Sequence, residues 1–366
     1  MKRVLQVLVA ATTVSAVIAA PAAAAAGPDR SGLQRELDNV VSASAVGALA
    51  EVRDGHRVWR GTSGVAEVGT TRDVPVNGRF RAGSITKTFV ATVVLQLVDE
   101  GELRLDDTVE KWLPGVVPNG DHITVRHLLN HTSGLYDFKD TLTPPEILAS
   151  RWRTWTATEM IQRALAEPPT VEPPGRFFDY SNTNYTLLGQ IIEAATGESY
   201  GDEIERRLIK PLRLKGTELP GTSPRIRGPH PHGYVPTDDG LLDFTEMNPS
   251  IFGAGGELIS TTADLNRFFA ALLGGDLLPA HLLDEMKKPA VEGRAYGLGL
   301  AWRDTPCGIT VYGNDGDSLT YQTWSFSSPA GDHQVTVALT PNFTGDADDV
   351  IDAFLNRAIC GSPRPA

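Results

Sequence analysis

The sequence predicts an α/β sheet domain with an all-α domain inserted into it, the sheet being antiparallel and flanked by helices. Strand-like runs occur early, at residues 46–53 and 56–60, with Asp54-Gly55 between them as a turn signal. They return only after about Tyr296, at residues 309–312, 319–326 and 334–339. Between the two sets, residues 103–273 carry apolar side chains at helical spacing. Neither strand set is large enough to be stable alone, so the two must share one sheet. The expected limits are 27–100 plus 286–361 for the sheet domain and 101–285 for the all-α domain.

The elements follow in order. Residues 32–41 place Leu33, Leu37, Val40 and Val41 on one helical face. Residues 80–83 lead into a long helix over 84–100, stopped by Gly101 at a C-cap position. Helices are expected at 123–130, 157–166, 186–195, 201–212 and 262–273, separated by Pro and Gly clusters. Residues 327–332 have the composition of a hairpin turn. A closing helix over 346–359 carries aspartates in its first turn, where the helix dipole favours them.

Residues 1–26 read as a secretory signal rather than as fold. Lys2 and Arg3 precede an apolar run, and A-x-A cleavage sites lie in 22–26. No later segment is apolar enough to span a membrane. A secreted, extracellular monomer without a membrane anchor is expected. The 33 lysines and arginines, less Lys2 and Arg3, face 45 acidic residues. That balance excludes nucleic acid and anionic membrane surfaces as partners and suits a neutral or cationic substrate. The only cysteines, Cys307 and Cys360, are expected to bond in an oxidising compartment, the alternative being two buried thiols. Neither a metal site nor a cofactor is expected. There is no HExxH, and His230-Pro231-His232 sits in a Pro/Gly-rich loop.

Two short stretches carry the chemistry. In Gly83-Ser84-Ile85-Thr86-Lys87, a serine and a lysine lie three apart at the start of a helix, on one face. A serine hydroxyl needs a base to take its proton, and a lysine serves only when neutral. The partial positive charge of a helix N-terminus, and burial, both favour the neutral amine. Alone, the pair reads more readily as a helix cap followed by a solvated lysine. Tyr180-Ser181-Asn182 adds a phenol and an amide at a bend, able to relay a proton and to hold the lysine and a substrate carbonyl.

With these motifs, the chain resembles the serine D-alanyl-D-alanine carboxypeptidases and class C β-lactamases, which share the β-lactamase/transpeptidase-like fold. The likeness extends over residues 95–107, 123–136, 180–185 and 296–300 and both cysteine neighbourhoods. It is greatest to soluble, secreted actinobacterial-type DD-peptidases. The resemblance implies Ser84 as nucleophile, Lys87 and Tyr180 as acid and base, and Asn182 as a substrate contact. It also implies substrate contacts from the segment Asn314-Asp315-Gly316-Asp317, where such peptidases commonly have His-Thr-Gly-Thr or Lys-Thr-Gly. Here the cationic position is neutral Asn314 and the two hydroxyl positions are Asp315 and Asp317, which could share a proton. An expected arginine is Ala301, beside Trp302, and an expected aromatic is Ile251. The main-chain N–H of Asp317 could still complete an oxyanion hole with that of Ser84.

The expected function is therefore a serine hydrolase or acyltransferase acting through an acyl-enzyme on D-residue amide, peptide or ester bonds. Its leaving-group site is altered. Expected partners are small peptides, D-amino-acid amides or esters, β-lactam-like compounds, and an amine as acyl acceptor. The alternatives are a conventional D-alanyl-D-alanine carboxypeptidase, a β-lactamase, an esterase, or a binding protein that has lost turnover. Negative charge from the aspartates is expected to raise the pKa of Lys87.

Overall fold

The computed structural model describes residues 29–361. The expected signal segment lies outside the described residues. Ten strands occur among the described residues: β1 (Ala45–Asp54), β2 (Arg57–Gly64), β3 (Phe80–Arg81), β4 (Tyr234–Thr237), β5 (Gly240–Asp243), β6 (Ile259–Ser260), β7 (Ala301–Asp304), β8 (Thr310–Asp317), β9 (Gln322–Ser327) and β10 (His333–Pro341). Six form one sheet in the order β2-β1-β10-β9-β8-β7. β1 pairs antiparallel with β10 across the centre, for instance Ala50 opposite Val337 and Val52 opposite Val335. The early and late strands thus share one antiparallel sheet, as their small numbers require.

Both faces of this sheet are covered, so β1 is buried along most of its length. On one face, α1 (Arg30–Ser44) and the closing helix Asp348–Cys360 pack over Ala48, Ala50 and Val52. Leu33 and Leu37 meet Ile351 and Phe354 there. The Arg357 guanidinium ties the two helices by donating to Asp29 at 2.9 Å and Glu36 at 3.2 Å. On the other face lies the helix Thr262–Leu273. Glu51 points that way, fully buried, paired with Arg60 at 2.7 Å and Arg53 at 3.3 Å. Asn266 on the helix donates to the same carboxylate.

The nucleophile region follows from burial. Gly83–Ile85 is a single 3₁₀ turn, and α2 (Thr86–Asp99) continues from it. Residues 86–95 are all buried, as expected of a helix apolar nearly all round. Phe89 stacks on Phe268 with ring centroids 3.7 Å apart. Thr88 and Thr92 spend their hydroxyls on the carbonyls of Gly299 and Thr88. A lysine one turn into such a helix has little choice but to be buried with it.

Several boundaries differ from the sequence reading. The hairpin β4–β5 interrupts the span read as mostly helical. It turns at Asp238-Asp239, a signal overshadowed by the helical segments on both sides. The strand expected at 309–312 runs on to Asp317, because pairing with β9 holds residues of poor strand propensity in line. The run read as a strand from Leu319 begins at Gln322. Leu319 itself has φ 70°, and Ser318 donates to the Tyr321 carbonyl across that turn. The helix expected from Thr186 starts at Asn182.

A disulfide joins Cys307 and Cys360, tying the β7–β8 turn to the end of the closing helix. The two cysteines are 53 residues apart in sequence. In the chain-entropy model, closing such a loop stabilises by at most about 4 kcal/mol. β8 runs away from this bond for about 25 Å before it reaches the nucleophile turn. Replacing both cysteines by alanine should lower the thermal midpoint markedly, while the rate of Ser84 labelling by a fluorophosphonate at 20–25 °C stays unchanged. A calorimetric scan and a labelling time course check the two halves.

Candidate active site

Ser84, Lys87, Tyr180 and Asn182 meet at one point. Lys87 Nζ lies 3.0 Å from Ser84 Oγ, 2.8 Å from Asn182 Oδ1 and 2.6 Å from the Gly255 carbonyl. Tyr180 Oη donates to Ser84 Oγ at 2.8 Å. The lysine also lies 4.9 Å from the centre of the Tyr180 ring. Two of its three neighbours can only accept. A neutral amine has two N–H groups and one lone pair. The N–H groups go to Asn182 and Gly255, so the lone pair is left facing the serine hydroxyl. This arrangement can draw the Ser84 proton onto Lys87.

Asn182 is held in the orientation this needs. Its Nδ2 donates at 2.7 Å to Asp137 Oδ2, which leaves only Oδ1 for the lysine. The other Asp137 oxygen accepts from the Lys139 N–H and caps the 3₁₀ turn Phe138–Thr141. One carboxylate therefore fixes both a turn and an amide. Asp137 lies one residue beyond the stretch 123–136 that carries the resemblance, and no local pattern marks it.

Burial sets the protonation states. It pushes the Lys87 pKa down to about 7, against Asp137 and, more weakly, Asp315, which pull it up. The expectation that acidic neighbours raise this lysine has the right sign for their charge, yet burial outweighs it. Burial also drives the Tyr180 phenol well above its ordinary value of 10, with a further push from Tyr296. The phenol is thus protonated at neutral pH, although 36 % of the residue is exposed to the cleft.

β8 meets the nucleophile turn backbone to backbone. A Cβ on Gly316 would fall 2.0 Å from the Ala82 carbonyl and 3.0 Å from the Ser84 nitrogen. A Cβ on Gly83, at φ 55°, would fall within 2.7 Å of the Asp317 backbone. Only glycine fits at both positions. Strand alternation then separates the remaining residues of the segment. Asn314 is buried, donates to Thr88 Oγ1 at 3.2 Å, accepts from the Asp315 N–H and touches the cleft only at its floor. Asp315 and Asp317 both face the cleft, but they do not pair. Asp317 accepts from the Leu319 N–H at 2.8 Å within its own turn, and no hydrogen bond joins the two carboxylates among the described residues. The Asp317 carboxylate is thus engaged within its own turn. Asp315 has its pKa raised, first by partial desolvation of its carboxyl between the cleft walls, although the residue as a whole is exposed, and also by the charges of Asp348 and Asp317.

These residues line a cleft of about 850 Å³. One wall is apolar: Phe138, Leu142, Ile147, Ile251, Phe252 and Leu319. Ala301 lies where the resemblance implied an arginine. A different cation, Arg294, lines the cleft instead, its guanidinium 3.9 Å from the centre of the Phe178 ring and without an ion pair among the described residues. No group of His, Cys, Asp or Glu able to hold a metal occurs among the described residues.

A family model described as Beta-lactamase matches residues 34–360. The chain belongs to this family of serine acyl-enzyme hydrolases. It is 33% identical over 279 residues to penicillin-binding protein 4 of Amycolatopsis lactamdurans, covering 70% of each chain. Among solved structures it is similar to a D-stereospecific amidohydrolase from Streptomyces sp., with 39% identity and a TM-score of 0.84 over 92% of this chain and 100% of that one. It is also similar to the D-amino acid amidase of Ochrobactrum anthropi SV3 complexed with L-phenylalanine amide, with 29% identity and a TM-score of 0.78 over 90% and 98% of the two chains.

The lysine environment is directly measurable. In protein carrying carbon-13 at the lysine ε position, Lys87 should titrate with a midpoint near 7. Asp137→Asn removes the largest charge that raises it, so the midpoint should move lower. A midpoint above 9 in the native protein would show that burial does not dominate.

Proposed function

We propose that this enzyme is a secreted D-stereospecific amidohydrolase whose cleft favours uncharged or cationic leaving groups over a free carboxylate. The observation that carries the reading is the Asp315 carboxylate in the cleft, without an ion pair among the described residues, with Ala301 where a carboxylate-binding arginine was implied. The likeness to the Streptomyces amidohydrolase over nearly the whole of both chains supports it. The apolar wall suits a D-residue with a large apolar side chain on the acyl side. Export is inferred from Lys2, Arg3 and the apolar run after them, and agrees with the disulfide.

In this reading Ser84 Oγ bonds to the substrate carbonyl carbon while its proton passes to Lys87 Nζ. The carbonyl oxygen, now negative, is met by the N–H groups of Ser84 and Asp317, which the two glycines bring together. The bond to the leaving nitrogen breaks as Tyr180 gives that nitrogen its phenolic proton, and Tyr180 recovers the proton held by Lys87. Water, or an amine as acyl acceptor, then attacks the ester by the reverse route. Tyr180 acts as a neutral relay and Lys87 as the base, since the phenol's raised pKa makes phenolate scarce.

Two measurements test this. Ser84→Ala should abolish covalent labelling by a β-lactam or fluorophosphonate and reduce turnover by several orders of magnitude. An ionised carboxylate about 4 Å from the leaving group contributes about 4 kcal/mol at an effective dielectric near 20, and half of that still discriminates more than tenfold. The kcat/KM for a D-residue amide should therefore exceed that for the matching peptide ending in a free carboxylate by more than tenfold. Asp315→Thr with Asp317→Thr should narrow the gap. A wild-type preference for the free acid would overturn the reading, and its loss in Arg294→Ala would make that arginine the carboxylate anchor.

A further inference from the structure

We infer that His131 is a positioning residue for Tyr180, holding the phenol on Ser84 from beneath and from both sides. The inference rests on the relay role proposed for Tyr180. That side chain stands on an irregular segment: residues 178–181 belong to no helix or strand, so no ladder of backbone bonds fixes them. His131 supplies the missing constraint. Its carbonyl accepts from the Asp179 N–H at 2.8 Å, and its ring Nδ1 accepts from the Ser181 N–H at 3.2 Å. The two residues flanking Tyr180 are thus bonded to one histidine. The imidazole itself stacks on the Tyr180 ring, with centroids 4.2 Å apart and planes inclined at 29°.

The backbone allows one residue to do all three. His131 has φ 58°, a left-handed conformation that, outside glycine, asparagine, aspartate and histidine adopt most readily. Its carbonyl and its ring both reach the strand-like segment 179–181 from that turn. The ring is locked in place. Asn184 Nδ2 also approaches Nδ1 at 3.2 Å, and Asn184 is itself oriented by Ser133, whose hydroxyl donates to Oδ1 at 2.6 Å. Tyr185 and Tyr296 close the other sides at 5.3 and 5.2 Å between centroids.

Two donors on Nδ1 require its lone pair, so the proton sits on Nε2. His131 is fully buried, and Nε2 has no partner among the described residues. Burial is the main cause that holds the imidazole neutral, with a smaller push from the charge of Arg294. A neutral ring is what the position needs. An imidazolium against the phenol would favour phenolate and repel the Lys87 ammonium that forms during acylation.

The test is a double-mutant cycle with Tyr180→Phe, using kcat/KM for a D-residue amide and the rate of β-lactam acylation. His131→Phe keeps a ring for the stack and loses the Nδ1 acceptor. His131→Asn keeps an acceptor, tolerates the left-handed backbone and loses the ring. Each should lower kcat by about 10- to 100-fold with KM little changed, as misplacement of a reacting group by an ångström does. In the Tyr180→Phe background the same changes should have almost no further effect. Equal losses in both backgrounds would reduce His131 to a structural residue, and losses under twofold in both variants would also overturn the inference. An unimpaired Tyr180→Phe enzyme would instead remove the relay role on which the inference rests. Should the variants fail to fold, nitrogen-15 spectra of the native enzyme decide the matter. They should show His131 protonated at Nε2 and still neutral at pH values where an exposed imidazole is charged, and a proton on Nδ1 would overturn the inference.

Discussion

A lysine that burial makes easy to deprotonate is the constraint on which the rest of the site depends. Lys87 is buried because α2 is buried, and α2 is buried because its sequence from Thr86 to Leu95 has almost no polar face. An ammonium there would lack water on every side. The fold offers instead two carbonyl-type acceptors, at Asn182 and Gly255, which suit an amine with two hydrogens and a free lone pair. Desolvation and hydrogen-bond geometry thus act in one direction, and the serine hydroxyl is the group left to meet the lone pair.

Around that lysine, each neighbour is itself held by another. Asn182 keeps its orientation through Asp137, Asp137 is anchored by the turn it caps, and Tyr180 is bracketed by His131. The supporting residues come from the segment 131–137, none of which lines the cleft, whereas Phe138 and Lys139 just beyond it do. Reaction geometry therefore depends on a stretch that scarcely touches a substrate. Such supporting contacts are what keep side chains on irregular backbone within a fraction of an ångström of a working position.

Much of this was legible in the sequence because it follows from local chemistry. The helical spacing after Ser84 required Lys87 on the same face, and the small strand sets at both ends required a shared sheet. The tertiary partners were not legible. Nothing local tells Asp137 to meet Asn182 across 45 positions, or Gly255 to turn its carbonyl toward a lysine 168 positions earlier. The Asn314–Asp317 segment misled for a related reason. Its residues favour turns, and only pairing with β9 holds them extended. Similarly, two aspartates two apart on one strand face suggested a shared proton, whereas the tight turn after β8 claims Asp317 for itself.

The joint between β8 and the nucleophile turn separates two tasks that many active sites combine. Gly83 and Gly316 touch through main-chain atoms, so the placement of Ser84 is indifferent to which side chains stand at 315 and 317. Those two positions project from the opposite face of the same strand, into the substrate cleft. Charge and size there can change from one lineage to the next while the distance from strand to serine stays constant. A single rigid seam thus leaves recognition open to drift without putting the chemistry at risk, which is a physical route by which one scaffold comes to serve hydrolases of different substrate classes.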